Sequence, residues 1–209
     1  MRYIPKKEIP KCFKEHSFLP ENNWNIFKNP CKKKVKKTIL EKEQNWLCAY
    51  CEIKVSLDES HIEHIKPKSD YKELKFDYHN FIVSCNGKEC RMDEEYDGDI
   101  HSCGHKKDNG FNEDKFLDPT LLEDIGEYFF YDRYSGAIKA SEKDKEKADY
   151  MINLLNLDNM SLNKKRLNVI KAIRENLIRK KISKQQLINK INSTNPPAFV
   201  SFVRYYYAI

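Results

Sequence analysis

The chain has 209 residues, which is enough for one domain or two small ones. Hydrophobic residues make up 40% of it and aromatic residues 12%, a composition that excludes an intrinsically disordered tail. The formal net charge of +6 is a mild basic excess, compatible with a nucleic-acid partner. The sequence has no long apolar run and begins without the apolar core of a signal peptide, so we expect a cytosolic protein with no membrane segment.

The pattern along the chain predicts three regions, and the first comprises residues 1-47. This region carries four prolines and is predicted to be extended at first, then helical from about residue 32 to residue 47. Six lysines and no acid lie between residues 28 and 37, which indicates a basic surface. Cys12 and Cys31 lie far from the other cysteines, and we expect them to be ordinary thiols.

The second region, residues 48-112, has almost no helical periodicity. We predict short strands at residues 52–55, 60–65 and 81–83, followed by an acidic surface loop at residues 87–99.

The third region, residues 113-209, is predicted to begin with a hairpin that turns at Ser135 and Gly136. Helices are expected after it, and then an aromatic tail that packs into the core. The predicted ranges are 127–131 and 137–139 for the hairpin, 142–157, 162–180 and 185–192 for the helices, and 199–207 for the tail.

Five cysteines of the second region have the spacing of a metal site. Cys48 and Cys51 form a C-x-x-C pair, which can bind one side of a tetrahedral zinc ion. A second pair is needed, and Cys85, Cys90 and Cys103 can supply it. We favour Cys85 with Cys103, which belongs to a compact Cys-Gly-His-Lys element, and keep Cys90 of the acidic loop as the alternative.

Polar residues that suit phosphodiester hydrolysis lie between these cysteines. A nuclease must activate water and neutralise charge on the scissile phosphate; His64 can accept the water proton, and the adjacent Glu63 can hold a hard divalent cation. Successive residues of a strand point to opposite faces, so the two need local twist to serve one site. Asn80 and His105 follow in order, and His61 is expected to be a surface or supporting residue.

These residues together resemble the HNH motif of ββα-metal endonucleases. The resemblance covers residues 48–109 and is carried by Cys48-x-x-Cys51, Glu63-His64-Ile65-x-Pro67, Asn80-Phe81-x-x-x-Cys85 and Cys103-x-His105-Lys106. A second set of motifs comprises Cys48-Ala49-Tyr50-Cys51-Glu52, Ile62-Glu63-His64, His101-x-Cys103-Gly104-x-Lys106, Phe116-Leu117-Asp118-Pro119 and the hairpin at Gly136. This set resembles the HNH proteins of retron and Septu antiphage systems, the PtuB-like group. It implies an α+β fold, in which a zinc-stapled ββα-metal finger is flanked by an N-terminal helix and a C-terminal helical region.

The resemblance also implies a role for each matching position. His64 matches the general base, Glu63 the acidic metal ligand and Asn80 the asparagine that fixes the finger loop or touches the metal. His105 matches the last metal-binding histidine, with His101 as a competitor because a glycine stands directly after the last zinc cysteine. The implied cofactors are a structural zinc and a catalytic Mg²⁺ or Mn²⁺.

We therefore expect a metal-dependent endonuclease acting on DNA or RNA, and the resemblance to Septu-type proteins implies an ATPase partner in antiphage defence. The basic stretches, including nine Lys or Arg between residues 161 and 184, would add affinity for the phosphate backbone. Lys106 or Lys107 could contact a phosphate or lie in solvent. The alternative is a non-catalytic zinc-finger module that binds nucleic acid or a protein.

Overall fold

The computed structural model describes residues 1–15, 21–27, 30–87, 101–179 and 181–209, which form helices around two small antiparallel sheets. The α+β class is confirmed. In chain order the elements are α1 Lys11–Lys14, α2 Cys31–Thr38, β1 Ser60–His64, β2 Phe81–Cys85, α3 Cys103–Lys107, β3 Phe129–Tyr131, β4 Ile138–Ala140, α4 Lys145–Leu154, α5 Met160–Ile178, α6 Lys184–Ile191 and α7 Val200–Tyr207.

The centre of the molecule is a finger made of β1, β2 and α3. The two strands pair antiparallel, with Ser60 opposite Cys85 and His64 opposite Phe81, and α3 packs against β2. The strand expected at residues 52–55 is reduced to one isolated bridge between Leu47 and Lys54. Most of the predicted acidic loop lies outside the described residues.

The single helix predicted over residues 32–47 is wrong in its second half. The α-helix ends at Thr38 and is followed by a π-helical segment, Ile39–Gln44. The buried amide of Gln44 accepts a hydrogen bond from Val83 N at 2.7 Å and donates one to Val83 O at 2.8 Å. The chain leaves the α-helix where this amide pairs with β2, so a contact distant in sequence overrides the helical periodicity.

The expectation that Cys12 and Cys31 are ordinary thiols is also wrong. They form a disulfide, with their Cα atoms 5.8 Å apart. Phe13 packs its ring against Phe27 and against Phe81 of β2, at centroid distances of 5.2 Å and 5.7 Å. This aromatic cluster brings α1 to the start of α2. Cys12 and Cys31 therefore lie close enough to bond although 19 positions separate them in the sequence.

The C-terminal region follows the predicted order. The β3–β4 hairpin contacts α4 and α7, and the predicted helices correspond to α4, α5 and α6 with shifted ends. The aromatic tail forms α7, in which Phe202 is fully buried with its ring 5.3 Å from that of Tyr131. One hydrophobic core includes residues from all three predicted regions, and the division at residues 47 and 112 stays a prediction. No helix in the described ranges is long and apolar enough to cross a membrane.

Candidate functional site

Four buried cysteines of the finger converge on one point. The Sγ atoms of Cys48, Cys51, Cys85 and Cys103 all lie within 4.8 Å of one another, and those of Cys51 and Cys85 are 3.9 Å apart. A tetrahedral zinc ion with Zn–S bonds of about 2.3 Å requires sulfur atoms about 3.8 Å apart. The donor set therefore fits a closed tetrahedral metal site. The structure brings Cys85 and Cys103, the pair favoured from the sequence, together with Cys48 and Cys51, whereas Cys90 lies outside the described residues.

Hydrogen bonds in and around the cluster position the cysteines and favour the ionised form of Cys48. Cys48 N donates to Ile53 O at 2.9 Å, which closes the turn that carries the first pair, and Cys85 N points at Cys48 Sγ at 3.3 Å. Burial raises the pKa of the Cys48 thiol, but hydrogen bonds with Cys103, Cys51 and Cys85 outweigh this and place it well below its ordinary value. A thiol with a lowered pKa ionises readily, and the thiolate is the form that binds metals.

A cleft of about 200 Å³ opens beside the end of β1. It is lined by His61, Ile62, Glu63, His64, Pro67, Lys68, Gly104, His105, Asp108 and Asn109. Three of the four predicted catalytic residues, Glu63, His64 and His105, therefore line one cleft. Glu63 and His64 can both line it because β1 ends at His64 and the cleft extends to both faces of the strand end.

One wall of the cleft holds a carboxylate and two imidazoles, and His61 contacts both of the others. His61 and Glu63 are two residues apart on β1 and share a face of the strand. His61 Nε2 lies 3.4 Å from Glu63 Oε2, and the rings of His61 and His105 are 4.7 Å apart. The structure therefore adds His61 to the site, although the sequence analysis treated it as a surface or supporting residue.

Gly104 keeps this wall open. A Cβ atom at this position would lie 2.8 Å from both Glu63 Oε2 and His61 Nε2, closer than carbon atoms approach such groups. The glycine after the last cysteine, which departs from the common motif, therefore makes room where these donor atoms meet.

Lys107 holds the other oxygen of the carboxylate. Its buried ammonium group donates to Glu63 Oε1 and to His64 O, both at 3.0 Å. Of the pair Lys106 and Lys107, one of which was expected to contact a phosphate or lie in solvent, Lys107 is 2% exposed and its ammonium group is turned into the finger. With Oε1 held in this way, Oε2 faces the cleft.

His64 occupies the opposite face of β1. Its Nε2 lies 2.9 Å from Lys75 O, and a carbonyl can only accept, so Nε2 carries the hydrogen and Nδ1 has the lone pair. The rings of Trp24 and Phe81 pack edge-on at 4.6 Å and 5.1 Å. Burial in this aromatic setting lowers the pKa of His64 to about 4, so the imidazole is neutral at pH 7.

Asn80 organises the loop that follows β1. Its Oδ1 accepts from Lys66 N at 2.8 Å, and its Nδ2 donates to Lys66 O at 3.0 Å and Leu74 O at 3.2 Å. Leu74 precedes Lys75, whose carbonyl fixes the His64 ring. The amide thus ties together the two loop segments that set the orientation of the imidazole.

His101 lies further from the carboxylate wall than His105 does. Its ring is 6.1 Å from that of His105, and its carbonyl accepts from Asn156 Nδ2 at 2.9 Å. Within the described part of the chain, its buried Nδ1 has no hydrogen-bond partner. The geometry favours His105, which contacts the ring of His61 directly.

The comparisons agree with this geometry. The family model described as "HNH endonuclease" matches residues 48–89, which contain the first three cysteines of the cluster, Glu63, His64 and Asn80. A protein of Vibrio cholerae serotype O1 biovar El Tor, named "Retron Vc95 putative HNH endonuclease", is 32% identical over 165 residues, or 76% of this chain and 74% of that protein. The chain therefore belongs to the HNH endonuclease family, and it is a nuclease by class.

Proposed function

We propose that this chain is a metal-dependent endonuclease that hydrolyses phosphodiester bonds of DNA or RNA, with His64 as general base. The observation that carries the proposal is the cleft at the end of β1. It lies between a neutral imidazole on one face of the strand and a carboxylate–histidine wall on the other.

His64 has the properties that a general base needs. Its lone pair is on Nδ1, because Nε2 donates to the carbonyl of Lys75, and its low pKa keeps it unprotonated at neutral pH. It can then take a proton from water as that water attacks the phosphorus atom. Trp24 and Phe81 hold the ring in place, so little orientation is lost on substrate binding.

Glu63 and His105 are the proposed ligands of the catalytic cation, with His61 as a third donor. Carboxylate oxygen and imidazole nitrogen with room for water suit Mn²⁺ or Mg²⁺. When bound, the cation neutralises charge on the phosphate and on the leaving oxygen. Lys107 supports this wall by fixing Glu63 Oε1, which leaves Oε2 directed at the cleft.

The four-cysteine cluster is the proposed zinc site. Four thiolates leave no open coordination position, so the ion has a structural role and holds β2 and α3 together. It takes no part in the chemistry.

We further propose a role in antiphage defence, in the cytosol, together with an ATPase partner. The relative named above is associated by its name with a retron. The resemblance to Septu-type proteins supports the partner, which would license or target the cut.

The test is metal analysis combined with cleavage of DNA and RNA in Mg²⁺ or Mn²⁺. We expect about one zinc per chain and cutting by the wild type and by His79→Ala, whose histidine is exposed outside the cleft. We expect His64→Ala to keep its zinc and lose cleavage by about 10²-fold or more. Cutting by His64→Ala at the wild-type rate would refute the assigned base. If the wild type is silent, the assay is repeated with the ATPase added, and silence there refutes the nuclease function.

A further inference from the structure

A second groove, which we call the α2 groove, adjoins the catalytic cleft. It has a volume of about 540 Å³ and lies between α2 and the beginning of β1. Its lining residues are Trp24, Lys32, Lys33, Lys36, Leu57, Asp58, Ser60, His61 and Ile62. We propose that a strand of the substrate leaves the cleft through this groove and that Lys32 and Lys33 bind its phosphates. The proposal rests on the nuclease function above and adds the path of the nucleic acid.

The groove and the cleft share part of their lining. His61 and Ile62 line both of them, so one wall passes from the proposed cation site into the α2 groove. A nuclease substrate is a polymer, and a backbone held at the scissile phosphate must continue over the neighbouring surface. Each strand of a duplex brings one further phosphate for about every 3.4 Å of helix axis. The surface beside the cleft therefore meets several negative charges.

The lysines of α2 differ in what they contact. Lys37 pairs with Glu41 at 3.6 Å, and the ammonium of Lys36 donates to Ser60 O at 2.8 Å, so both have partners within the protein. Lys32 and Lys33 form no salt bridge with a carboxylate of the described residues. Both line the groove, so they are lysines of α2, without a carboxylate partner among the described residues, that can meet a phosphate bound there.

Lys32 and the proposed general base both contact the ring of Trp24. Its Nζ lies 5.0 Å from the ring centroid of Trp24, and the same ring packs against His64 at 4.6 Å. Partial burial lowers the pKa of Lys32, and the positive charge of Lys68 on the cleft lining lowers it further. Two lysines, one lining the groove and one lining the cleft, therefore repel each other across the boundary between the two openings. An anionic backbone would relieve this repulsion.

The test measures binding without cleavage. All variants carry His64→Ala, and binding of labelled single-stranded DNA, duplex DNA and single-stranded RNA of equal length is followed by fluorescence anisotropy over a range of salt concentrations. The groove variant is Lys32→Gln with Lys33→Gln. The matched control is Lys34→Gln with Lys37→Gln, which removes the same charge from the same helix at positions that do not line the groove.

We expect the groove variant to bind several-fold more weakly than the control. The slope of log affinity against log salt should fall by about 0.7 per lost contact with a single strand, or about 0.9 with a duplex, whereas the control keeps its slope. Equal weakening of both variants would show that helix α2 supplies only a general field and would overturn the proposal. Unchanged binding by the groove variant would overturn it as well.

Two features keep the result interpretable. Lys33→Gln alone changes an exposed side chain, so it tests the groove even if the double variant folds poorly, which circular dichroism reports. Because binding is read in a background that does not cut, a wild type without nuclease activity refutes the proposed function but still leaves the groove comparison with a definite answer.

Discussion

The cysteine cluster and the carboxylate–histidine wall are two proposed metal-binding regions of one finger, and they differ in how completely protein atoms enclose them. In the cluster, four buried sulfur atoms lie within 4.8 Å of one another. In the wall, Glu63 and His61 are 3.4 Å apart, and the His61 side chain is 31% exposed. Structural zinc sites are closed by four protein ligands, whereas catalytic sites keep positions open for water and substrate. The difference supports the proposed structural role of the first region and the proposed catalytic role of the second.

The two regions share the short helix α3. Cys103 belongs to the cluster, and His105, two residues later, belongs to the wall. A helix of five residues has little stability of its own, so its position depends on what anchors it. The proposed zinc site would therefore help to position His105, while the contact of Lys107 with Glu63 anchors the same helix from the side of the wall.

The largest expected effect is the loss of the closed site. Cys51→Ser replaces a thiolate by a poor zinc ligand, and structural zinc contributes about 10 kcal/mol or more of apparent binding free energy in small fingers. We expect loss of stoichiometric zinc, a greatly lowered melting temperature and no cleavage, measured by metal analysis, calorimetry and a plasmid assay. Cys12→Ser, outside the cluster, is the control and should keep its zinc. A Cys51→Ser protein with full zinc and wild-type stability would contradict the closed-site assignment.

The next effect separates the open site from the closed one. Gly104→Ala places a methyl group 2.8 Å from Glu63 Oε2 and His61 Nε2, so the wall must move. Zinc content should stay the same while cleavage falls by about 10²-fold, because small displacements of reacting groups cost that much. Gly126→Ala is the matched control, since its Cβ would meet the nearest atom at an ordinary 3.6 Å. Full activity of Gly104→Ala would show that this wall does not bind the cation.

The closed site could be predicted from sequence better than the open one. Cysteine pairs at zinc spacing are a strong signal for a metal site, so Cys85 and Cys103 could be favoured from the sequence, with Cys90 as the alternative. The role of Lys107 could not, because a lysine that enters a core against a carboxylate looks the same in sequence as a solvent-exposed one. His61 had a signal that was not used, namely its two-residue spacing from Glu63 on a predicted strand.

In the fold too, elements set by local sequence could be predicted, whereas features set by contacts distant in sequence could not. The strands β1 and β2 and the helices α4 to α6 follow local periodicity and could be predicted. The end of α2 and the pairing of Cys12 with Cys31 depend on contacts with β2 and with aromatic residues that are distant in sequence. Short-range patterns carry no information about such contacts.

A smaller effect concerns the loop behind the open site. Asn80→Ala removes three hydrogen bonds to backbone groups of Lys66 and Leu74. We expect a loss of about 2–3 kcal/mol in the free energy of unfolding, since partly buried backbone groups lose their partners. Cleavage should fall through a lower kcat, because the Lys75 carbonyl that orients His64 follows Leu74. Asn176→Ala, which loses one exposed helix contact, is the control. An unchanged kcat would show that Asn80 does not position the base.

The smallest expected effect concerns how many protein side chains bind the catalytic cation. If His61 is a third donor to the cation, His61→Gln should raise the Mn²⁺ concentration for half-maximal cleavage by about ten-fold, a loss of about 1.4 kcal/mol, and excess Mn²⁺ should restore the rate. His101→Gln is the matched control, because its ring lies beyond His105 and should leave the Mn²⁺ requirement unchanged. A shift in the Mn²⁺ requirement of the control but not of His61→Gln would mean that His101, and not His61, is the third donor to the cation. No shift in either variant would leave Glu63 and His105 as the protein donors. The cation would then keep one more coordination position for water or substrate.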